Sequence, residues 1–364
     1  MHIASVSWTD HLTFGEGDGR LQTPDAVARR VRAWRDERGA GALHWRLLRA
    51  RVAGRFFAAP GYEHPSRAAA NTITWDDLRV VPALAHDAGL EAWLYVSVFD
   101  EGWPLAPPDV RARSYHNEMH GQHIAWQSDL TRLHPEWLAA DRSGTVRQHG
   151  VASLAHSEAR RAFVDRWLGL LEGTAFDGLF VCLRSQSKPA AHADQFEVHG
   201  DGLTALLVEL RAGLGRDGRR LGVGAARGDV LGPPLGNATL GWREWIRRGL
   251  VDDLVIDQNS SQCPSMWHQL WPMHRGTGYV QNYLDGTGMP PLVEHVRAQY
   301  GPAVEGSRTR LFIARQWSAR DDAVERELLA IPGVTGLVFS TFRHDNPAAI
   351  ARGDWRAGAI SARA

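Results

Sequence analysis

The chain has 364 residues, 44% hydrophobic and 23% charged, with a formal net charge of +0. That is globular chemistry with enough length for a large core, and the even charge balance excludes an electrostatic case for a nucleic-acid or anionic-membrane partner. No apolar run approaches the ~18 residues of a membrane span, the opening residues show no basic-then-apolar leader pattern, and two cysteines, Cys182 and Cys263, are too few for a disulfide framework or a cysteine-based zinc site. A cytoplasmic protein with free thiols is expected.

In chain order, short β-rich apolar runs alternate with amphipathic helical segments. Residues 2–8 form the first predicted strand. Thr23 and Pro24 then cap and open a helix whose apolar positions Val27, Val31 and Trp34 recur at helical spacing. A second strand covers 42–48, a helix covers 74–88 with Gly89 as its terminator, and the aromatic, β-branched run 91–99 is the third strand. An insertion over about 100–153 follows. Beyond it come a helix over 157–171, strand 177–183, helix 203–214, strand 220–226, helix 242–248 and strand 251–257. The last elements are a long polar-aromatic loop, helix 292–300, strand 309–315, helix 323–330 and strand 333–340.

Eight strand–helix units with near-continuous apolar strands predict parallel pairing buried on both faces, and so a single (β/α)8 TIM barrel spanning 1–364. No GxGxxG follows the first strand, which removes the argument for a doubly wound dinucleotide fold. Barrel enzymes carry their chemistry on the loops after each strand. The first strand ends near Trp8, the second at Trp45, the third at Asp100, Glu101 and Trp103. The insertion adds His116, His120, His123 and Trp126; His116 and His120 stand at i, i+4 but without the HExxH pattern, so no metal is expected. After the fourth strand come Arg184, Lys188 and Asp194. Of the 41 basic residues only Lys188 is lysine, and a compact ammonium is not interchangeable with a guanidinium. Arg227 follows the fifth strand. Asp257, Gln258 and Asn259 follow the sixth, with Gln281 and Asn282 further along that loop; Arg315 and Trp317 follow the seventh. Asp257 comes directly after an apolar run, where desolvation raises a carboxyl toward the range of a neutral-pH general acid.

The segments His134-Pro135-Glu136-Trp137, Asp141-Arg142-Ser143-Gly144 and Phe176-Asp177-Gly178-Leu179 resemble those of bacterial glycoside-hydrolase-like TIM barrels, among them a glycosyl-hydrolase group related to family 10 and the α-amylase-like barrels. The resemblance covers roughly 91–183. It implies a carbohydrate ligand and a fourth strand that opens on an Asp-Gly pair and commonly ends in a catalytic Asp. Here that position is Cys182.

These readings combine into a glycoside-hydrolase-like enzyme acting on a carbohydrate or glycoside, without a cofactor. Asp257 pairs with Asp100 or Glu101 as the catalytic carboxylates. Arg184, Lys188, Asp194, His123, Arg227, Gln258, Asn259, Gln281, Asn282 and Arg315 contact substrate, and Trp8, Trp45, Trp103, Trp126 and Trp317 offer flat faces to sugar rings. Three alternatives stay open: a lyase or isomerase acting on an acidic sugar through Lys188, a sugar-binding barrel without catalysis, and a metal-dependent hydrolase using His116 and His120.

Overall fold

A computed structural model describes residues 1–6, 21, 23–47, 50–52, 55–57, 75–98, 101–103, 126–140, 147–183, 200–225, 227–229, 240–256, 290–315 and 322–339. Eight parallel strands close into a barrel: β1 (His2–Val6), β2 (Ala40–Arg46), β5 (Glu91–Ser97), β10 (Gly178–Cys182), β11 (Arg220–Gly224), β12 (Asp253–Ile256), β13 (Arg310–Ala314) and β14 (Val334–Phe339), which returns to pair with β1. This is the expected (β/α)8 architecture. Three antiparallel ribbons sit outside it: β3 (Ala50–Val52) with β4 (Arg55–Phe57), β6 (Gly102–Trp103) with β7 (Trp126–Gln127), and β8 (Leu138–Ala140) with β9 (Arg147–Ala152).

The crossover helices are α1 (Pro24–Arg38), α2 (Asp77–Asp87), α4 (Ser157–Leu171), α5 (Gly200–Leu214), α6 (Trp242–Arg247), α7 (292–304) and α8 (Asp322–Leu329), with a short α3 (Asp129–Leu133) before β8. α1 starts where the sequence indicates. The Thr23 hydroxyl accepts from the Ala26 amide at 3.2 Å, and Gly39 ends the helix at φ 65°. Val27, Val31 and Trp34 form its buried stripe. α7 carries a π turn over Val296–Tyr300 in its middle. Among the described residues no helix is long and apolar enough to cross a membrane.

Strand alternation divides the core in two. Leu43, Trp45, Leu94, Leu179, Leu254 and their neighbours face the helices, whereas Ile3, Ala42, Trp93, Tyr95, Phe180, Cys182, Val255, Phe312, Ala314 and Val338 fill the lumen. Strand tilt brings inward residues of alternate strands to one level, so the lumen is stacked in layers. At the N-terminal end lie charges. Arg310 forms a two-pronged contact with Asp253 at 2.6 and 2.8 Å and reaches Glu91 at 2.9 Å, while Arg220 holds Glu91 from the other side at 2.9 Å. Trp93 lies over this group, its indole N–H donating to Glu91 at 3.2 Å and its ring 4.7 Å from the Arg220 guanidinium carbon. Gly178 makes room for that indole; a Cβ there would come within 2.6 Å of both Trp93 and the Arg220 carbonyl.

Burial pushes the Asp253 carboxyl up, against the pull of the Arg310 guanidinium that meets it bidentately. Burial also acts to raise Glu91, but hydrogen bonds from Arg310 and Arg220 outweigh it and hold the group down at about 2. Higher in the lumen His44 is fully buried and stacked on Phe180 at 4.0 Å; desolvation, helped by the Arg310 charge and opposed by Glu91, lowers it to about 3.

Two outcomes follow from the lumen. Replacing Arg310 with Met leaves Asp253 buried without its counter-charge and should cost about 3–5 kcal/mol in urea unfolding. His44 is neutral when folded and takes up a proton below pH 6.5 when unfolded, so its contribution to stability is full above that pH and falls toward pH 3; Glu91 has the same sign over pH 4.5 to about 2. The His44 part alone amounts to about 2 kcal/mol between pH 7 and pH 5. Unfolding midpoints should therefore fall less over that interval in His44→Phe than in the wild type.

Candidate functional site

The C-terminal end of the lumen differs from the rest of the core in being polar. β2 turns Arg46 inward at 7% exposure, and its guanidinium donates to the Ser97 hydroxyl on β5. The same guanidinium sits 4.8 Å over the Tyr95 ring, which meets Phe180 edge-on at 5.1 Å. Cys182 ends β10 with its side chain inside the lumen and fully buried. Ser5 on β1 is inward by alternation, since Ala4 and Val6 beside it pack outward. A cation held over an aromatic face, with hydroxyls around it, can fork-bond a carboxylate or adjacent hydroxyls and exclude water from what it holds.

Alternation explains why Arg46 did not emerge from the sequence while Trp45 did. Trp45 was expected as a sugar platform. It is fully buried on the outward face of β2, and its indole N–H donates to Asp77 of α2 at 2.9 Å. The usable signal was the strand pattern itself: Ala42, His44 and Arg46 share one face, Leu43 and Trp45 the other.

Glu101 also needs correction as a free acid–base group. At 3% exposure both of its oxygens are bound by Arg166 of α4, at 2.6 and 2.9 Å, and one also accepts from Ser128. Arg166 in turn lies 5.0 Å from the Phe163 ring on the helix layer. The bidentate guanidinium commits both oxygens of this carboxylate to Arg166. Glu101 thus anchors the segment after β5 to α4. Arg315 is likewise 5% exposed and directed outward, 3.8 Å from Glu325 of α8, so it is not a substrate contact in the lumen.

Arg227 lies just beyond β11, and its guanidinium donates to the Pro290 carbonyl at 2.9 Å. Around it the loop is buttressed. Asp229 accepts from Trp242 at 2.8 Å and from Arg243 at 2.6 Å, and the Tyr300 hydroxyl on α7 accepts from the Gly228 amide at 2.8 Å. Burial pushes Tyr300 up to about 12. Trp103 and Trp126 are directly opposed in the β6–β7 ribbon. Asp177 sits at the N-terminal end of β10, where its carboxylate accepts from the Ala92 amide at 2.7 Å and contacts His86 at 2.9 Å, a structural tie. Trp8, Asp100, His116, His120, His123, Arg184, Lys188, Asp194, Asp257, Gln258, Asn259, Gln281, Asn282 and Trp317 lie outside the described residues. Among the described residues no three His, Cys, Asp or Glu side chains gather as a metal site.

No protein-family model matches this chain, and no curated protein matches it. Solved structures with a similar chain course include a noncanonic maltogenic α-amylase from Thermotoga neapolitana, at 11% identity and TM-score 0.44, covering 93% of this chain and 67% of that one. An α-L-fucosidase from Paenibacillus thiaminolyticus gives 11% and 0.47 over 100% of this chain and 49% of its own. An α-amylase from Lactobacillus plantarum gives 16% and 0.45 over 93% and 70%. At these values neither activity nor site residues transfer to this chain, and the barrel assignment rests on its own strand order.

If Glu101 is an anchor, Glu101→Gln should lower unfolding stability by about 1–3 kcal/mol, because Arg166 loses its charged partner. The loss should appear in urea midpoints, and Arg166→Met combined with Glu101→Gln should recover part of it.

Proposed function

We propose that the protein is a glycoside hydrolase or a close functional relative, acting on a carbohydrate held at the C-terminal end of the barrel. The observation that carries this reading is the inward Arg46, hydrogen-bonded to Ser97 and lying over Tyr95, at the end of the lumen where barrel enzymes do chemistry. A guanidinium fork, hydroxyls and an aromatic face suit a polyhydroxylated ligand. The resemblance of the segment around His134-Pro135-Glu136-Trp137 to glycoside-hydrolase-like barrels points the same way.

In this reading Asp257 is the acid–base carboxylate. It directly follows the apolar run of the sixth barrel strand in the sequence. Asp100 is its partner, since Glu101 is committed to Arg166. Arg184 and Lys188 bind polar groups of the substrate. A separation near 5–5.5 Å between the two carboxyls would give retention of configuration, and about 6.5–9.5 Å inversion.

The test is turnover of a panel of aryl glycosides by wild type and Asp257→Asn. The substitution should lower kcat/KM by about 10²–10⁴ with the fold unchanged by circular dichroism. Activity within twofold of wild type would remove Asp257 from the mechanism. Saturable sugar binding by a wild type that turns over nothing would identify a sugar-binding barrel instead.

A further inference from the structure

The lumen contains polar atoms that its packing does not account for. Among the described residues, Ser5 Oγ and both ring nitrogens of His44 are buried without a hydrogen-bond partner in the protein. They stand side by side, because Ser5 and His44 are register partners on β1 and β2. A buried donor or acceptor left unmade is costly, and folded proteins rarely keep several together without a use.

The side chains around them are unevenly sized. His44 shares its level with Phe180, Val255 and Val338, a full layer in which His44 and Phe180 stack at 4.0 Å. The next level toward the C-terminal end is built from alternate strands as Ser5, Tyr95, Gly224 and Ala314. Three of those four are among the smallest residues. Above them come Arg46 and Cys182. By register His44 lies one level below Ser5 and Tyr95, and Arg46 one level above them, so the small side chains of this level mark out a chamber bounded by these four residues. A neutral imidazole offers one donor and one acceptor, and a serine hydroxyl offers both. That set matches an alcohol oxygen, which also donates and accepts. It does not match a carboxylate, which only accepts. The small residues occupy a single level, which suits a single CH2OH arm and not a sugar ring.

We propose that this Ser5–His44 chamber is a binding subsite for the hydroxymethyl arm of the substrate, and that it selects sugars bearing that hydroxyl over their 6-deoxy counterparts. The proposal rests on the carbohydrate reading above and adds to it which group of the sugar enters the lumen. A site built to hydrogen-bond a hydroxyl rejects the analogue that lacks it, because its own polar groups are then left unmade.

The experiment follows the His44 ring nitrogens by ¹⁵N NMR while methyl glucoside, methyl galactoside, their 6-deoxy analogues and glycerol are titrated into the full-length protein. Ser5→Ala and His44→Phe are measured beside the wild type, with thermal midpoints taken without ligand. The hydroxymethyl sugars should shift the His44 nitrogens saturably and bind at least about tenfold tighter than the 6-deoxy forms. Ser5→Ala should abolish that preference while keeping or raising the ligand-free midpoint, since it removes an unmade polar group. That combination separates a ligand subsite from a packing role, which would lower the midpoint. Equal binding of the two sugar forms, or unshifted His44 nitrogens in a protein that does turn over glycosides, would overturn the chamber and leave the proposed function intact. Shifts by glycerol or methyl sugars in a protein with no turnover would keep the chamber and overturn hydrolysis. No shift by any probe and no turnover would overturn both.

Discussion

The Arg310 fork between Asp253 and Glu91 is the contact on which the arrangement of this barrel depends. It places two carboxylates and, through Arg220, two guanidinium groups inside the N-terminal end of the lumen. Their charges balance, and Asp253, fully buried, is tolerable only because Arg310 meets it bidentately. Trp93 covers the group, and the glycines at 178 and 222 on neighbouring strands accommodate that indole. One end of the barrel is therefore closed by paired charge and an aromatic lid. The other end carries a cation whose described contacts are a hydroxyl and an aromatic face.

That asymmetry connects packing to function. The paired charges lie at the N-terminal end of the lumen, and Arg46 lies at the C-terminal end, where barrel enzymes do chemistry. His44 lies between the two ends. The positive field of Arg310 and full burial keep it neutral, so it can exchange hydrogen bonds with an alcohol without bringing a charge into the lumen. Glu101 and Asp229 work outside the lumen. The first ties the segment after β5 to α4 through Arg166, and the second ties the loop after β11 to α6, so the walls of the opening are held by ion pairs and not by apolar packing alone.

The barrel was legible in the sequence because its signals are local. Thr23 and Pro24 start α1, Gly39 and Gly89 end helices at positive φ, and each barrel strand is a short β-rich run. All eight expected strands are present, the second of them beginning two residues earlier than expected, at Ala40. The ribbons β3–β4, β6–β7 and β8–β9 were missed, since pairings in which at least one strand is only two or three residues long leave almost no periodicity to read. The site was less legible. Choosing Trp45 over Arg46 was an error of one residue, and in a strand one residue is the difference between lumen and helix layer. Glu101 resembled a catalytic acid because two adjacent carboxylates after a barrel strand fit that role; its partner Arg166 lies 65 residues away in sequence, and no local pattern announces such a pair. Ser5 and His44 gave no motif at all, and only the register of β1 against β2 brings them together.

The central claim is that a carbohydrate enters the lumen from the C-terminal end and meets Arg46. A crystal structure of the protein with a bound monosaccharide glycoside tests it most directly. The account predicts a sugar oxygen within about 3 Å of the Arg46 guanidinium, with the ring on the side of Tyr95 away from Phe180. A sugar bound on the outer surface or among the helices, with the Arg46–Ser97 contact unchanged and no ligand atom near either residue, would contradict it.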